Sequence, residues 1–299
     1  MERVLAINTL IYGENDLRTI AREIAQLGTN TVELAFLQAY FPTLSDEFFT
    51  DWRARQYRSV LSEFGLSSVA LSAHMDLGEE NSCPAFERRM VFAKELGARY
   101  IISNSSQRIR EKMFFRNIAV LADLAQSLSL VICLENPGDG EDQIVFSGKT
   151  GAKVIQEIGS EWVRLNYDIG NVFIYSKGAI RPEADLDEAL PAAVHYHLKD
   201  VREDPTGYYY CQIGTGVIDY KEILGTLAAK ASSAPLAIEL PLQLKRGLDF
   251  VSWVDSSPAD LVDVRRILKG SLEFAKRWTD LKVCEKSNSI NGRTGKQGV

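Results

Sequence analysis

Short apolar runs rich in β-branched residues alternate along the chain with stretches of helical spacing. The first run, Val4–Thr9, precedes a stretch in which Leu17, Ile20 and Ile24 lie on one helix face. The same order of strand and then helix repeats eight times before the chain ends. The eight predicted strands are Val4–Thr9, Thr31–Phe36, Ser68–Ala73, Arg99–Ser103, Leu130–Glu135, Val163–Asp168, Val194–Lys199 and Leu236–Leu240.

Strict alternation of strands and helices predicts a parallel sheet, and eight such units in about 280 residues fit a single-domain α/β protein with a (β/α)₈ TIM barrel. A doubly wound open sheet is the alternative. It would usually carry a G-x-G-x-x-G motif after the first strand, which Ile7–Gly13 lacks. The barrel is predicted to occupy residues 1–281. Residues 282–299 are polar, and we expect either a tail without a core of its own or one that orders on a partner subunit.

Composition narrows the classes of partner. The 299 residues include 34 Lys and Arg against 40 Asp and Glu, a formal net charge of −6, which argues against nucleic-acid binding. No apolar run reaches the length of a membrane helix, so no membrane partner is expected. The four cysteines form no C-x-x-C pair. We therefore expect a soluble, cytoplasmic protein.

Polar residues lie at the ends of the predicted strands, where the chemistry of such barrels is found. Since side chains alternate along a strand, the last four strands would direct their terminal ligands into the barrel mouth, with His195 one layer deeper. One carboxylate or histidine at a strand end is usually a cap or a core residue. Four on consecutive strands predict a metal site, because a divalent cation compensates buried carboxylates. The strand-end residues are Glu33, His74, Asn104, Glu135, Asp168, His197 and Glu239.

Three carboxylates and one imidazole form a hard donor set. It favours a divalent ion such as Mn²⁺, our first choice, with Mg²⁺, Co²⁺ or Zn²⁺ as alternatives. Four protein ligands leave two octahedral positions for the carbonyl and hydroxyl oxygens of a sugar. A carboxylate nearby could then move a proton through an enediolate.

Seven segments together resemble the xylose isomerase-like barrel family, specifically its sugar isomerases and epimerases such as the tagatose/psicose 3-epimerases and hydroxypyruvate isomerase. Each segment is short, but their order and their places on the predicted strands span the whole barrel. The segments are Thr31–Ala35 (TVELA), Ser72–His74 (SAH), Leu134–Gly138 (LENPG), Tyr167–Asn171 (YDIGN), His197–Asp200 (HLKD), Gly214–Tyr220 (GTGVIDY) and Ile238–Pro241 (IELP).

The resemblance implies roles for particular residues. Glu135, Asp168, His197 and Glu239 match the metal ligands of the family, and Glu135 and Glu239 also match its proton-transferring pair. Glu33 and His74 match positions that line the substrate pocket, and Glu141 lies where several members place a second substrate-contacting glutamate. Asn104, just past the end of the fourth strand, is a further candidate for substrate binding. Asn171 stands where the epimerases carry a histidine, and Arg202 lies near the position of a substrate-contacting arginine. A homodimer or homotetramer is the usual state in such barrels.

The expected function is thus isomerisation or epimerisation of a ketose or keto-sugar derivative. The alternatives are a lyase or decarboxylase acting on a 3-oxo sugar acid through the same enediolate, and a sugar-binding protein without catalysis. The resemblance extends to a DNA-repair branch that shares this fold, whose members have a histidine-rich site for three zinc ions. The three histidines of this chain cannot build such a site.

Two loops and one turn leave alternatives open. The tyrosines in Arg202–Cys211 predict either an aromatic wall over the substrate or a packed hairpin. Lys245, Arg246 and Trp253 follow the eighth strand, either in a lid that binds phosphate or carboxylate or as solvated surface residues. The Gly214–Gly216 turn is a weak candidate for a phosphate site.

Overall fold

The computed structural model describes residues 3–38, 43–137, 141–231, 233–249, 251–255 and 260–291. Twelve strands lie within these residues, and eight of them form a closed parallel barrel. The strands are β1 Leu5–Asn8, β2 Thr31–Ala35, β3 Ser67–Ser72, β4 Tyr100–Asn104, β5 Val131–Glu135, β6 Val163–Asp168, β7 Ala193–Leu198, β8 Asp200–Asp204, β9 Gly207–Cys211, β10 Leu236–Ile238, β11 Leu244–Arg246 and β12 Ser252–Val254.

Helices follow the barrel strands as the alternation predicts. Several begin at a side-chain cap: the Asp16 carboxylate accepts the first backbone N–H groups of the first helix, and Ser147 caps the fifth. The α-helices are α1 Leu17–Gln26, α2 Asp51–Glu63, α3 Ser82–Leu96, α4 Glu111–Leu128, α5 Gly148–Ile158, α6 Ile169–Tyr175, α7 Pro182–Ala189, α8 Tyr220–Lys230 and α9 Leu261–Asn291.

The barrel closes in the order β1-β10-β7-β6-β5-β4-β3-β2, with β1 paired to both β10 and β2. The (β/α)₈ barrel predicted from the alternation is therefore confirmed. Register brings the strand ends level, because Asp168 pairs with His197 and Asn104 with Glu135. The polar residues at these ends thus lie around one mouth.

The last helix differs from the prediction. The spacing after the eighth strand predicts a last helix from about Pro258 to Trp278, whereas α9 continues to Asn291. It therefore enters the predicted tail, whose remaining residues 292–299 lie outside the described part of the chain. The boundary at residue 281 stays a prediction.

A second, antiparallel sheet in the order β12-β11-β9-β8 stands beside the barrel mouth. Its β8–β9 hairpin contains the three consecutive tyrosines, and its β11–β12 hairpin follows barrel strand β10. The packed hairpin expected as one alternative is present, and Tyr210 also lines the cavity at the mouth, as the other alternative required. The strands of the β11–β12 hairpin are not among those predicted from the sequence.

The turn at Gly214–Gly216 holds a protein carboxylate. Buried Asp200 accepts the backbone N–H groups of Val201, Gly214 and Gly216, each at 2.9 Å. A Cβ at Gly216 would lie 2.2 Å from Asp200 Oδ1, so only glycine fits there. These amides are therefore used to fix the start of β8, and the phosphate-site reading of the turn finds no support.

Replacing Asp200 by alanine is expected to lower the free energy of unfolding by roughly 2–3 kcal/mol, because several buried N–H groups lose their hydrogen-bond acceptor. Urea unfolding followed by circular dichroism measures this change. Asp204→Ala, at the exposed end of the same strand, is the control and should cause a much smaller loss. Equal effects of the two substitutions would contradict the role of the turn.

Candidate active site

A cavity of about 470 Å³ opens at the carboxyl ends of the barrel strands, between the barrel and the second sheet. Its wall combines acidic, basic and apolar groups, which is typical of a small-molecule site. The lining residues are Leu10, Leu37, His74, Asn104, Glu135, Pro137, Asn171, Lys199, Tyr210, Glu239, Pro241, Leu244, Arg246, Ser252, Trp253 and Val254.

The four predicted metal ligands come together at the floor of this cavity. One ligand atom from each of Glu135, Asp168, His197 and Glu239 lies within 4.8 Å of the others, and all four side chains are buried. Glu135 and Glu239 line the cavity, whereas Asp168 and His197 lie beneath it. The strand-end pattern therefore located a convergent donor set.

His197 is the centre of the cluster. Its Nδ1 faces the three carboxylates, at 2.6 Å from Glu135 Oε1, 3.1 Å from Glu239 Oε2 and 3.6 Å from Asp168 Oδ2. Its Nε2 faces the other way, 2.8 Å from Glu33 Oε1. Burial alone would lower its pKa, but the carboxylates of Glu33, Glu239 and Glu135 raise it well above its usual value.

Glu33 lies in a layer beneath the cavity and does not line it. Its Oε1 accepts hydrogen bonds from Asn8 Nδ2 at 2.6 Å and Ser72 Oγ at 2.9 Å, and its Oε2 is 3.2 Å from His195 Nε2. Burial would raise the pKa of Glu33, but His197 and His195 hold it below its usual value. This anion fixes the ring of His197, with Nδ1 directed to the other carboxylates.

Lys199 carries a buried positive charge into the site. Its Nζ lies 2.7 Å from Asp168 Oδ2 and 2.6 Å from Glu239 Oε2. It also donates to Asn171 Oδ1 at 3.3 Å. Burial would lower the pKa of this lysine, but Asp168 and Glu239 raise it well above its usual value, so the ammonium stays charged.

The two carboxylates that reach the cavity differ in proton affinity. Burial raises the pKa of Glu135 to about 8, and repulsion from Glu239 and Asp168 adds to burial while His197 opposes it. Burial acts in the same direction on Glu239, but Lys199 and His197 hold its pKa well below the usual value. Two carboxyl groups whose pKa values are shifted in opposite directions can act as an acid and a base.

Other predicted substrate residues lie at the mouth. His74, Asn104 and Asn171 line the cavity. His74 Nε2 is 3.3 Å from Glu135 Oε2, and burial lowers its pKa to about 4, which leaves a neutral imidazole. Asn171 donates through Nδ2 to the Asn136 carbonyl at 3.1 Å, which ties together the ends of β5 and β6.

Besides Glu33, two further residues predicted to contact substrate are not brought to the cavity. Glu141 is exposed, and its carboxylate accepts a hydrogen bond from Gln107 Nε2 at 3.4 Å. Arg202 is exposed on β8, where it pairs with Tyr209 on the side of the hairpin away from the mouth. Alternation along β8 and β9 explains this, because Tyr210 and not Tyr209 faces the cavity.

Sequence reasoning missed several residues of the site. Lys199 had a readable signal, because the alternation that placed His195 and His197 on one face continues to residue 199. Asn166 shares a face with Asp168, and its Oδ1 lies 2.8 Å from His195 Nδ1. Asn8 had no comparable signal, since one amide at a strand end is common in any barrel.

The residues present fit a divalent metal ion. Four buried carboxylates surround His197, whereas His197 and Lys199 are the two cations in contact with them. Burial raises the pKa of Glu135, repulsion from Glu239 and Asp168 raises it further, and a further cation would offset this repulsion. Three oxygen donors and one nitrogen donor suit Mn²⁺, Mg²⁺ or a similar ion.

Comparison with known protein families identifies the family of this chain. The family model described as xylose isomerase-like TIM barrel matches residues 21–254. The chain therefore belongs to this family, as its segments indicated. A comparison with curated protein sequences found no match.

Solved structures share the fold at low sequence identity. An L-ribulose 3-epimerase matches with a TM-score of 0.71 and 16% identity, covering 99% of this chain and 100% of its own. A D-psicose 3-epimerase with D-tagatose from Clostridium cellulolyticum H10 matches with a TM-score of 0.71 and 15% identity, covering 92% and 99%. A xylose isomerase-like TIM barrel protein from Mycobacterium smegmatis in complex with magnesium matches with a TM-score of 0.66 and 17% identity, covering 91% of this chain and 97% of its own.

Among the described helices, none has both the length and the apolar character needed to cross a membrane.

Proposed function

We propose that this protein is a divalent-metal-dependent isomerase or epimerase of a ketose or keto-sugar derivative. One observation carries the proposal: of the four buried candidate ligands, the two that reach the cavity are carboxylates with opposite pKa shifts, Glu135 and Glu239. A sugar-binding protein without catalysis would have no need for two carboxyl groups tuned apart in this way.

The metal would be held by Glu135, Asp168, His197 and Glu239, with Mn²⁺ our first choice. When bound, such an ion polarises the sugar carbonyl and stabilises the negative charge that develops as the neighbouring C–H loses its proton. Glu239, the more acidic of the two cavity carboxylates, removes this proton. Glu135 returns a proton, either to the adjacent carbon, which isomerises the sugar, or to the opposite face, which epimerises it.

The surrounding residues support this division of roles. Lys199 keeps Glu239 ionised and therefore ready to accept a proton. Glu33 holds the ring of His197, while neutral His74 lies within reach of Glu135 and the cavity. The second sheet covers the mouth with Tyr210 and Trp253, which limits access of water to the reacting carbons.

A second candidate is a lyase acting through the same enediolate. It is favoured by the Lys199 ammonium, 2.6 Å from Glu239 Oε2, because a fixed positive charge beside the base could stabilise the negative charge that develops on a leaving hydroxyl group. Loss of water or of CO₂ from a 3-oxo sugar acid would then replace return of the proton.

The test is proton exchange in deuterated water with Mn²⁺ present. Ketoses, ketose phosphates and 3-oxo sugar acids are incubated with the protein and followed by NMR. We expect deuterium at one carbon next to the carbonyl of the accepted substrate, with formation of its isomer or epimer. Release of water or CO₂ would favour the lyase or decarboxylase, and no exchange with any compound would contradict the proposal.

A further inference from the structure

The two basic residues at positions 245 and 246 of β11 point to opposite sides of the second sheet. Lys245 forms an ion pair with Asp255 at 2.8 Å and faces a separate groove beside Arg202 and Tyr209. Arg246 lines the catalytic cavity together with Leu244, two residues earlier on the same face. The alternation therefore assigns these cations to different environments, and only the arginine meets the substrate space.

Arg246 is built into the cavity wall and is not a surface residue. Only 7% of it is exposed, and its strand is paired with β12 on one side and β9 on the other, opposite Ser252 and Tyr208. Because arginine stays charged when it is buried, Arg246 brings a fixed positive charge to the cavity wall.

Tyr210 lies within electrostatic reach of two cations, Lys199 and Arg246. The ammonium of Lys199 lies 5.6 Å from the centre of its ring. Burial raises the pKa of Tyr210, while Lys199 and Arg246 both act to lower it, which places Arg246 within electrostatic reach of the same hydroxyl group. The cavity thus has an inner cation at the metal ligands and an outer cation on the second sheet.

These two cations have different neighbours. Lys199 is engaged by the carboxylates of Asp168 and Glu239 and belongs to the proton-transfer centre. Arg246 lines the same cavity from the second sheet, together with the apolar side chains of Leu244, Trp253 and Val254. An apolar wall strengthens charge-assisted hydrogen bonds, and a guanidinium matches the two oxygens of a carboxylate or phosphate.

We propose that the substrate is an anionic sugar derivative whose carboxylate or phosphate group is bound by Arg246 while its carbonyl end lies at Glu135 and Glu239. This inference rests on the proposed function, because it gives the substrate class for the same site. A neutral ketose could accept only ordinary hydrogen bonds from this arginine, whereas an anionic sugar derivative would form a charge-assisted pair with it.

The test compares three open-chain compounds of equal length: D-gluconate, D-glucitol 6-phosphate and neutral D-glucitol. Their binding to the full-length protein is measured by calorimetry in metal-free buffer, so that a carboxylate cannot be held by a metal ion. We expect at least one of the anions to bind about tenfold or more tightly than glucitol, the ratio that one charge-assisted pair supplies. Preference for gluconate alone identifies a sugar acid, and preference for the phosphate alone identifies a sugar phosphate.

Variants connect the preference to Arg246. Arg246→Met should bring the anions to within about twofold of glucitol, whereas Lys245→Met, the neighbour on the other face, should leave the ratio unchanged. Thermal melts check that each variant folds. If Arg246→Met does not fold, Arg246→Lys is used, which keeps the charge but loses the planar fork, and it should retain only part of the preference.

Two results would overturn the inference: no preference for either anion in the unaltered protein, or a preference that survives removal of the Arg246 guanidinium. Neither depends on turnover. Deuterium exchange into neutral ketoses without an anion preference would refute this inference alone. An anion preference without exchange into any keto compound would refute the proposed function instead.

Discussion

Replacing Glu239 by glutamine is expected to lower kcat by about a thousandfold or more, with the fold retained. The loss combines two effects. A glutamine cannot accept the proton that Glu239 removes, and general-base catalysis alone contributes about 10²–10⁴-fold. It also weakens a ligand of the proposed metal centre, where Glu239 lies 3.1 Å from His197 and 2.6 Å from Lys199. Initial rates on the substrate found by deuterium exchange measure the change.

Glu135→Gln should be comparably inactive, since Glu135 lines the cavity opposite the same histidine. Glu23→Gln is the control: it also replaces a buried carboxylate, but one that pairs with Arg265 away from the cavity, and it should keep nearly full kcat. Metal content is measured in each variant to separate loss of the base from loss of a ligand. Full activity after either cavity substitution would refute the assigned roles.

The barrel could be predicted from the sequence because its signals are local and repeated. Each strand is a short apolar run, each helix has its own spacing, and helices such as α1 begin at a capping side chain, Asp16. The ends of strands in a parallel barrel meet at one rim whatever the helices do. A ligand at the end of each of four strands, from Glu135 to Glu239, therefore predicted convergence without knowledge of any long-range contact.

The second sheet could not be predicted in the same way. Strands β11 and β12 have three residues each, too few for an alternation to stand out, and β8 begins two residues after the end of β7. Their pairing is decided by long-range contacts, such as the one that sets Lys245 beside Tyr209. For the same reason the sequence could not separate Arg246, which lines the cavity, from Lys245, which does not.

The structure gives a physical reason for the two departures from the epimerase pattern, at Asn171 and Arg202. Asn171, in place of a histidine, accepts a hydrogen bond from Lys199 and links two strand ends. Arg202 lies outside the cavity, while Arg246 enters it from another strand. The four residues that match the metal ligands of the family thus lie together, whereas the cavity wall carries an asparagine in place of the histidine and an arginine from the second sheet.

Removal of divalent metal is expected to abolish turnover and to lower thermal stability, and adding Mn²⁺ back should reverse both. The reason is the buried excess of carboxylates around His197: burial raises the pKa of Glu135 to about 8 with repulsion from Glu239 and Asp168 adding to it, and a bound cation would offset that repulsion. A ligand at about a hundred times its dissociation constant stabilises a folded protein by about 2.7 kcal/mol, or several degrees in Tm. Scanning calorimetry after chelation, with and without Mn²⁺, measures the shift.

Asp168→Asn supplies the matched variant for this experiment, because Asp168 belongs to the ligand cluster but does not line the cavity. It should lose most of the Mn²⁺-dependent rise in Tm, since an amide is a much poorer ligand than a carboxylate. Asp185→Asn alters another buried carboxylate, bonded to Tyr167 and remote from the cavity, and should keep the rise. Full turnover in the chelated protein would show that the carboxylates act without a metal, and the charge excess around His197 would then need another explanation.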